Sequence, residues 1–389
     1  MNLWKRVALT AIALLLGTAI WLPCVRFVFA RPETDYYRQD GVPRLARELA
    51  ARQRRLWTEP ESRERELNRM RVTNAEWDFM GRTFLVLALA NLSLREPAEA
   101  ENNLAVMDLI IEETLRLERE KGMYFFLMDY ARSNEFVNQP ARSLFLDGEI
   151  ALMLGARRLV RENEEYRGLL RERVQIIERS IRRGPLLAAE SYPDECWMFD
   201  HAMALAAMRM ADTLDGSDHS ALIRDWLATA RQRLVNVQTG LLVSSYSLDG
   251  DVTDGPEGST IFMVAHCLQL VDAEFAADQY TRAKREMGKQ VLGFGFAREW
   301  PQSWPGPADV DSGPTVPVVG ASAGASGMAV IAASAFGDRE FLASPVRSLD
   351  LTAFPIRRDG ELRYGASNQV GDAALLYALV LGPLWDRVR

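Results

Sequence analysis

Carboxylic acids, a histidine and aromatic rings crowd one short stretch of this chain. Residues 190–208 read ESYPDECWMFDHAMALAAM, so Tyr192, Asp194, Glu195, Cys196, Trp197, Asp200 and His201 fall together where a polar loop gives way to an apolar helix. Acids at a helix start are explained by the unpaired N–H groups and partial positive charge found there. That covers Asp194 and Glu195 as first-turn caps, but not the rings and the histidine beside them. Helical spacing of i, i+3 and i+7 predicts Asp194, Trp197 and His201 on one face. Such a face has the groups for proton transfer next to an aromatic surface.

Similar clusters recur downstream. Residues 254–260, DGPEGST, place Glu257 at a predicted helix start, with the Ser259 and Thr260 hydroxyls following and His266 two turns on. Residues 293–327 form a long loop, a kind more often functional than idle. It carries Arg298, Glu299, Trp300, Trp304, Asp309 and Asp311, and the DSGP turn at 311–314 aims the Asp311 carboxylate at the same mouth. A last entrance, RYGASNQVGDAALLYA, adds Tyr364, Asn368 and Asp372; an earlier one holds Arg142, Asp147 and Glu149. Aromatic faces stack on pyranose rings while acids bind hydroxyls. Cleaving a glycosidic bond needs two carboxyl groups, one protonated and one ionised. The candidates for that work are Asp194, Glu195, His201, Glu257 and Asp311, with Tyr192, Trp197, Arg298, Trp300, Trp304 and Tyr364 as candidate substrate contacts.

The elements that must position these groups are helices. Nearly all-apolar patterns at 75–92, 142–160, 194–214, 258–273, 318–336 and 368–385 alternate with amphipathic ones such as 99–121 and 164–183. The pairs repeat at about 55 residues, a spacing typical of repeat architectures. A helix apolar all round needs cover on every side, and an amphipathic one on a single side. A closed all-α ring of six inner and six outer helices satisfies both, with the twelfth helix supplied by residues 42–57. The open alternative is an α-solenoid. Strand signal is weak throughout.

Near the N-terminus, Lys5 and Arg6 precede an apolar run from Val7 to Val25. Its length suits a single membrane crossing, and the basic flank predicts a cytoplasmic start with the remainder outside. A cleaved signal, giving a secreted or periplasmic protein, is the alternative. The expected organisation is an anchor at 1–30, a linking or flanking helical segment at 31–74 and a ring domain at 75–389. With 53 acidic against 46 basic residues the chain is net −7, which disfavours nucleic-acid partners. Three histidines exclude a histidine-rich metal centre, and Cys24, Cys196 and Cys267 form no C-x-x-C pair. No metal or cofactor is expected.

The alternation of helices, with YPDECW, DGPEGS, REWP and DVDSGP at successive entrances, resembles the (α/α)6-toroid, or six-hairpin, superfamily. That resemblance implies a glycoside hydrolase, a polysaccharide lyase or an epimerase, hence a membrane-anchored, extracytoplasmic enzyme acting on an oligosaccharide by carboxylate acid–base chemistry. The segment 192–201 also resembles the linalool dehydratase/isomerase branch, which implies a terpenoid alcohol substrate. In that branch thiols do the chemistry, whereas Tyr192 and His201 stand at the corresponding positions here. A third expectation is a glycan-binding envelope protein without catalysis.

Overall fold

The computed structural model describes residues 2–308, 310 and 312–389. It opens with α1 (Leu3–Trp21) and the short α2 (Val25–Val28), both solvent-facing along their length, before the chain enters the body at residues 29–37. Six helices then run parallel as an inner ring: α5 (Ala75–Arg95), α7 (Leu144–Val160), α9 (Met198–Asp215), α11 (Gly258–Leu268), α13 (Ala323–Ala335) and α15 (Gln369–Val380). Each packs on the next, and α15 closes on α5. The outer layer is α3 (Arg44–Thr58), α6 (Ala100–Lys121), α8 (Glu164–Arg183), α10 (Ser220–Arg233), α12 (Ala273–Met287) and α14 (Arg339–Thr352), with α4 (Pro60–Thr73) alongside and α16 (Pro383–Asp386) last. The twelfth position is held by α3, packed on α15 and α6. This is an (α/α)6 toroid.

Why the ring closes at α5 and α15 is visible at one glycine. A Cβ on Gly81 would overlap the side-chain amide of Gln369. With no side chain there, Gln369 Nε2 donates to the Gly81 carbonyl at 3.2 Å, and Gln53 of α3 donates to the Gln369 carbonyl at 3.3 Å. One buried amide thus ties the first inner helix, the last inner helix and the last outer helix.

The parallel ring has two unlike ends. Where the inner helices finish, Arg158 of α7 pairs with Asp215 of α9 at 2.7 Å, and Gln269 after α11 reaches the Ala335 carbonyl of α13 at 3.1 Å. Here α16 plugs the bore. Leu384 N–H donates to Asn91 Oδ1 at 3.1 Å, and the Trp385 indole stacks on His266 at 4.6 Å. His266 Nε2 meets the Tyr377 hydroxyl at 2.8 Å, and burial holds its pKa down to about 3, so the floor is an uncharged aromatic plug.

At the opposite end, where the inner helices begin, three small antiparallel sheets line the entrances. They comprise β1 (Cys196–Trp197), β2 (Ser245–Tyr246) and β3 (Val252–Asp254); β4 (Gly288–Val291), β5 (Phe294–Arg298), β6 (Thr315–Val316) and β7 (Ala321–Ser322), in the order β4-β5-β7-β6; and the hairpin β8 (Pro355–Arg358) with β9 (Glu361–Tyr364). The weak strand signal of the sequence reflects their length: strands of two to five residues carry too little alternation to read.

Trp385 is 2% exposed at the centre of the floor. Trp385→Ala should destabilise the fold by about 3–5 kcal/mol, read as a lower urea midpoint, whereas a surface exchange such as Val72→Ala leaves the midpoint in place. An unchanged midpoint in Trp385→Ala would show that the plug is dispensable.

Candidate active site

Turn geometry decides how the 190–201 stretch is used. Tyr192 and Glu195 exchange backbone hydrogen bonds at 3.1 and 2.9 Å, with Pro193 and Asp194 as the two central residues. Asp194 has φ 54°, which a turn of this kind demands at the position after proline. The chain continues as β1, and α9 begins only at Met198. The shared helical face expected for Asp194, Trp197 and His201 therefore does not form. Pro193 fixes a turn where helical spacing was extrapolated.

Asp194 is exposed at the turn tip, and its carboxylate accepts from the Leu248 N–H at 3.2 Å. The buried Glu190 carboxylate organises the surrounding loops by accepting 2.8 Å bonds from the backbone N–H groups of Val137, Asn138 and Asp194. His201 is fully buried. Its Nε2 accepts from the Ala189 N–H at 3.0 Å, and Nδ1–H donates to the Trp197 carbonyl at 2.9 Å. Burial lowers its pKa to about 4. Both nitrogens are committed to backbone, so His201 braces the loop and is not positioned to shuttle protons.

The acids that converge lie one layer deeper. Glu149 on α7 is 1% exposed; Oε2 accepts from the Thr83 hydroxyl at 2.5 Å, and Oε1 has no hydrogen-bond partner among the described residues. Burial pushes its pKa well up, and the charges of Asp200 and Glu76 push it further. Asp200 in the first turn of α9 is likewise raised well above the carboxylate range, first by burial and then by Glu76 and Glu195. Like charges in a desolvated site cannot all ionise. The half-buried Glu76 of α5 accepts from the Tyr192 hydroxyl, which also takes the Met128 N–H at 3.0 Å. The Tyr192 ring stacks on Tyr130 at 4.5 Å. Glu195 accepts from the Trp197 indole N–H at 2.5 Å, and both remain partly open to solvent. Four acids from three neighbouring inner-helix entrances thus share one mouth.

The far wall is different. Glu257 sits at the N-cap of α11, almost fully buried, with its N–H on the Ser244 hydroxyl at 2.9 Å. Next to it, Glu299 accepts from the Ser259 N–H at 3.0 Å and from the hydroxyls of Ser259, Ser312 and Ser322, the Ser312 bond being 2.9 Å. That carboxylate stitches the entrances of α11 and α13. Asp311, like Asp309, lies outside the described residues. Trp300 and Trp304 stack at 5.8 Å, and Trp304 is packed against the backbone of Gly255 and Gly306. Their faces are used within the protein rather than offered as open platforms. Arg298 is half-buried against Gly320. Tyr364 is buried under the β8–β9 hairpin, within electrostatic reach of Asp350 and Arg31 on the ring's outer flank, away from the acids of α5, α7 and α9. Asp372 beside it is pushed up to about 7 by burial.

Cys24 is exposed and Cys196 and Cys267 are buried, all as free thiols. Burial raises the last two far above the ordinary thiol value, which keeps them protonated and poor nucleophiles. Among the described residues no group of three or more His, Cys, Asp or Glu is arranged to hold a metal ion.

In backbone shape the chain is similar to an alpha-mannanase of glycoside hydrolase family 76 from Bacteroides thetaiotaomicron, solved as a selenomethionine derivative. The TM-score is 0.51 at 11% sequence identity, covering 79% of this chain and 86% of that one. It is also similar to a family 105 glycoside hydrolase from C. acetobutylicum, at a TM-score of 0.45 and 13% identity, covering 80% of this chain and 94% of that one. The first likeness shows a shared toroid fold. No protein-family model and no curated protein matches the sequence.

Glu149, Asp200 and Glu76 matter more to the mouth than helical spacing suggested. The readable signal was the presence of acids inside otherwise apolar patterns, EWDFM, LDGEIAL and MFDHAMA. His201 supplies the test. A histidine held neutral binds fewer protons than its unfolded counterpart, so its share of stability is intact above about pH 6.5 and falls away as pH drops toward about 4. His201→Gln should be less stable than the wild type at pH 7.5, with the gap narrowing between pH 6.5 and 4. A constant gap across that range would contradict the neutral, backbone-bound ring.

Proposed function

We propose that this protein is a membrane-anchored enzyme acting on a carbohydrate by carboxylate acid–base chemistry. The observation carrying this reading is the pair of buried carboxyls, Glu149 and Asp200, whose pKa values burial and neighbouring charge push up, set beside the more open Glu76 and Glu195. Glycoside cleavage and elimination both need a protonated acid close to a charged one. Asp200 is the assigned proton donor, since it lies in the first turn of α9 directly below the mouth. Glu195 is the assigned charged partner. Burial, with the negative charges of Glu76 and Glu195, holds the proton on Asp200. Trp197 and Tyr130 are the partly exposed rings at the same entrance, suited to stack on a sugar.

The shared fold with a glycoside hydrolase family named for mannan supports a glycan substrate without naming the sugar. Asp194 and Glu257 are retained as groups that would bind hydroxyls rather than move protons, and Asp311, outside the described residues, is kept as a candidate for the same role. Cysteine chemistry on a terpenoid is not part of this reading, because both buried thiols are held protonated.

The anchor is α1. Together with α2 it makes a 26-residue apolar segment, long enough to cross a bilayer and wholly solvent-facing in the absence of lipid. Trp4 and Trp21 sit near its ends, about 25 Å apart at helical rise. Tryptophans at that separation match the two interfaces of a hydrocarbon core about 30 Å thick. Lys5 and Arg6 at the start orient the body away from the cytoplasm.

Asp200→Asn and Glu195→Gln should each lower turnover of the cognate glycan by about 10²–10⁴-fold while the unfolding midpoint stays near wild type. A proton donor with a raised pKa is lost as pH rises through it, so wild-type kcat/KM should fall on the alkaline side, and Glu76→Gln, which removes a charge that raises Asp200, should shift that limb to lower pH. Full activity in both Asp200→Asn and Glu195→Gln would end the proposal. Glycan binding that survives them without any turnover in the wild type would leave a binding protein instead.

A further inference from the structure

The way the anchor joins the body fixes which end of the toroid meets the membrane. Phe29 packs edge-on against Phe294 at 6.1 Å, and Arg26 lies against Gly293 in the β4–β5 turn. Arg31 forms a two-pronged ion pair with Asp350 near the last turn of α14. The chain then descends the flank of α14, with Tyr37 on Arg339 at 3.2 Å, and the Arg38 and Gly41 carbonyls reach Arg95 at the plugged floor. The membrane segment therefore leaves the body on the shoulder of the mouth, not at the floor. β5 runs directly into Glu299 in the mouth, and β9 runs into the entrance of α15, so both hairpins belong to that rim.

The rim carries a set of residues with no role in the core. Leu292, Val318 and Phe354 are bulky, apolar and exposed, and each has positive φ, at 54°, 72° and 54°. Leucine, valine and phenylalanine rarely adopt that backbone, where glycine or asparagine fits without strain. Leu292 in the β4–β5 turn and Phe354 between α14 and β8 thus accept backbone strain beside the anchor to present apolar side chains to solvent, and Val318 does so in the β6–β7 turn at the other end of the four-stranded sheet. Val291 and Ile356 extend the same surface. The exit of the anchor between the β4–β5 turn and the end of α14 identifies what covers Leu292 and Phe354.

We propose that the mouth rim beside the anchor is a membrane-seating surface, with Leu292 and Phe354 inserted at the lipid interface, and that the substrate is a glycan carried on a lipid. The occupant is the bilayer that α1 crosses, since Phe29, Arg31 and the β4–β5 turn hold the rim within a few residues of it. A mouth facing the bilayer admits a headgroup sugar anchored in that bilayer more readily than a soluble polymer. The substrate half of this inference rests on the glycan-active reading above; the seating half does not.

The test uses the full chain in vesicles of phosphatidylcholine and phosphatidylglycerol. On a Cys24→Ser background, Leu292→Cys and Phe354→Cys are labelled with an environment-sensitive fluorophore, and Thr213→Cys, exposed at the floor end, serves as control. Lipids spin-labelled near the headgroup should quench the two rim labels several-fold more than the floor label. Equal quenching at all three, or stronger quenching at Thr213→Cys, overturns the seating. For the substrate, Leu292→Asp combined with Phe354→Asp should lower turnover of a vesicle-borne glycolipid several-fold and leave turnover of the same glycan freed from its lipid unchanged. Equal loss on both forms overturns the lipid-linked assignment. Rim quenching in a protein inert toward every glycan would sink the glycan reading and leave the seating intact.

Discussion

Everything at the mouth depends on ring closure between α5 and α15. Six inner helices are each covered on both sides only if the last returns to the first, and at that junction a side chain rests on Gly81. The alternation of inner and outer helices puts all six N-termini on one end, and closure gathers them around one mouth. It also buries inner-helix residues that would face solvent in an open solenoid, Glu149 and Asp200 among them. The chemistry of the site is a consequence of that desolvation more than of any single catalytic motif.

Two opposing electrostatic effects meet at the mouth. Helix N-termini favour negative charge, while burial and mutual repulsion disfavour it. Where backbone N–H groups and hydroxyls are plentiful, as around Glu190 and Glu299, a buried carboxylate is stitched into the loops. Where donors are few, as at Glu149 with a single threonine hydroxyl, burial pushes the pKa well up. Donor supply separates the acids stitched into loops from those whose pKa is pushed up. The same distinction removes His201, which has a backbone partner for each nitrogen.

Much of the architecture was legible in the sequence. All-apolar patterns alternating with amphipathic ones are what inner and outer helices require, and α3 fell where a twelfth helix was needed. The site was less legible, for identifiable reasons. Pro193 followed by Asp194 makes a tight turn that cancels helical spacing across 194–201. Trp300 and Trp304 read as sugar platforms, yet they pack on each other, a choice set by Gly255 and Gly306 from distant or looped chain. Glu76 meets Tyr192 across 116 residues, a partnership that only the closed ring creates.

The central claim is that closure keeps protons on Glu149 and Asp200 at neutral pH. Difference infrared spectroscopy of the carboxyl C=O stretch measures this directly. At pH 7 the wild type should show protonated-carboxyl bands, one of which disappears in Glu149→Gln and another in Asp200→Asn. Wild-type and variant spectra with identical absorbance in that region would mean that both acids are ionised, which contradicts proton retention at the mouth.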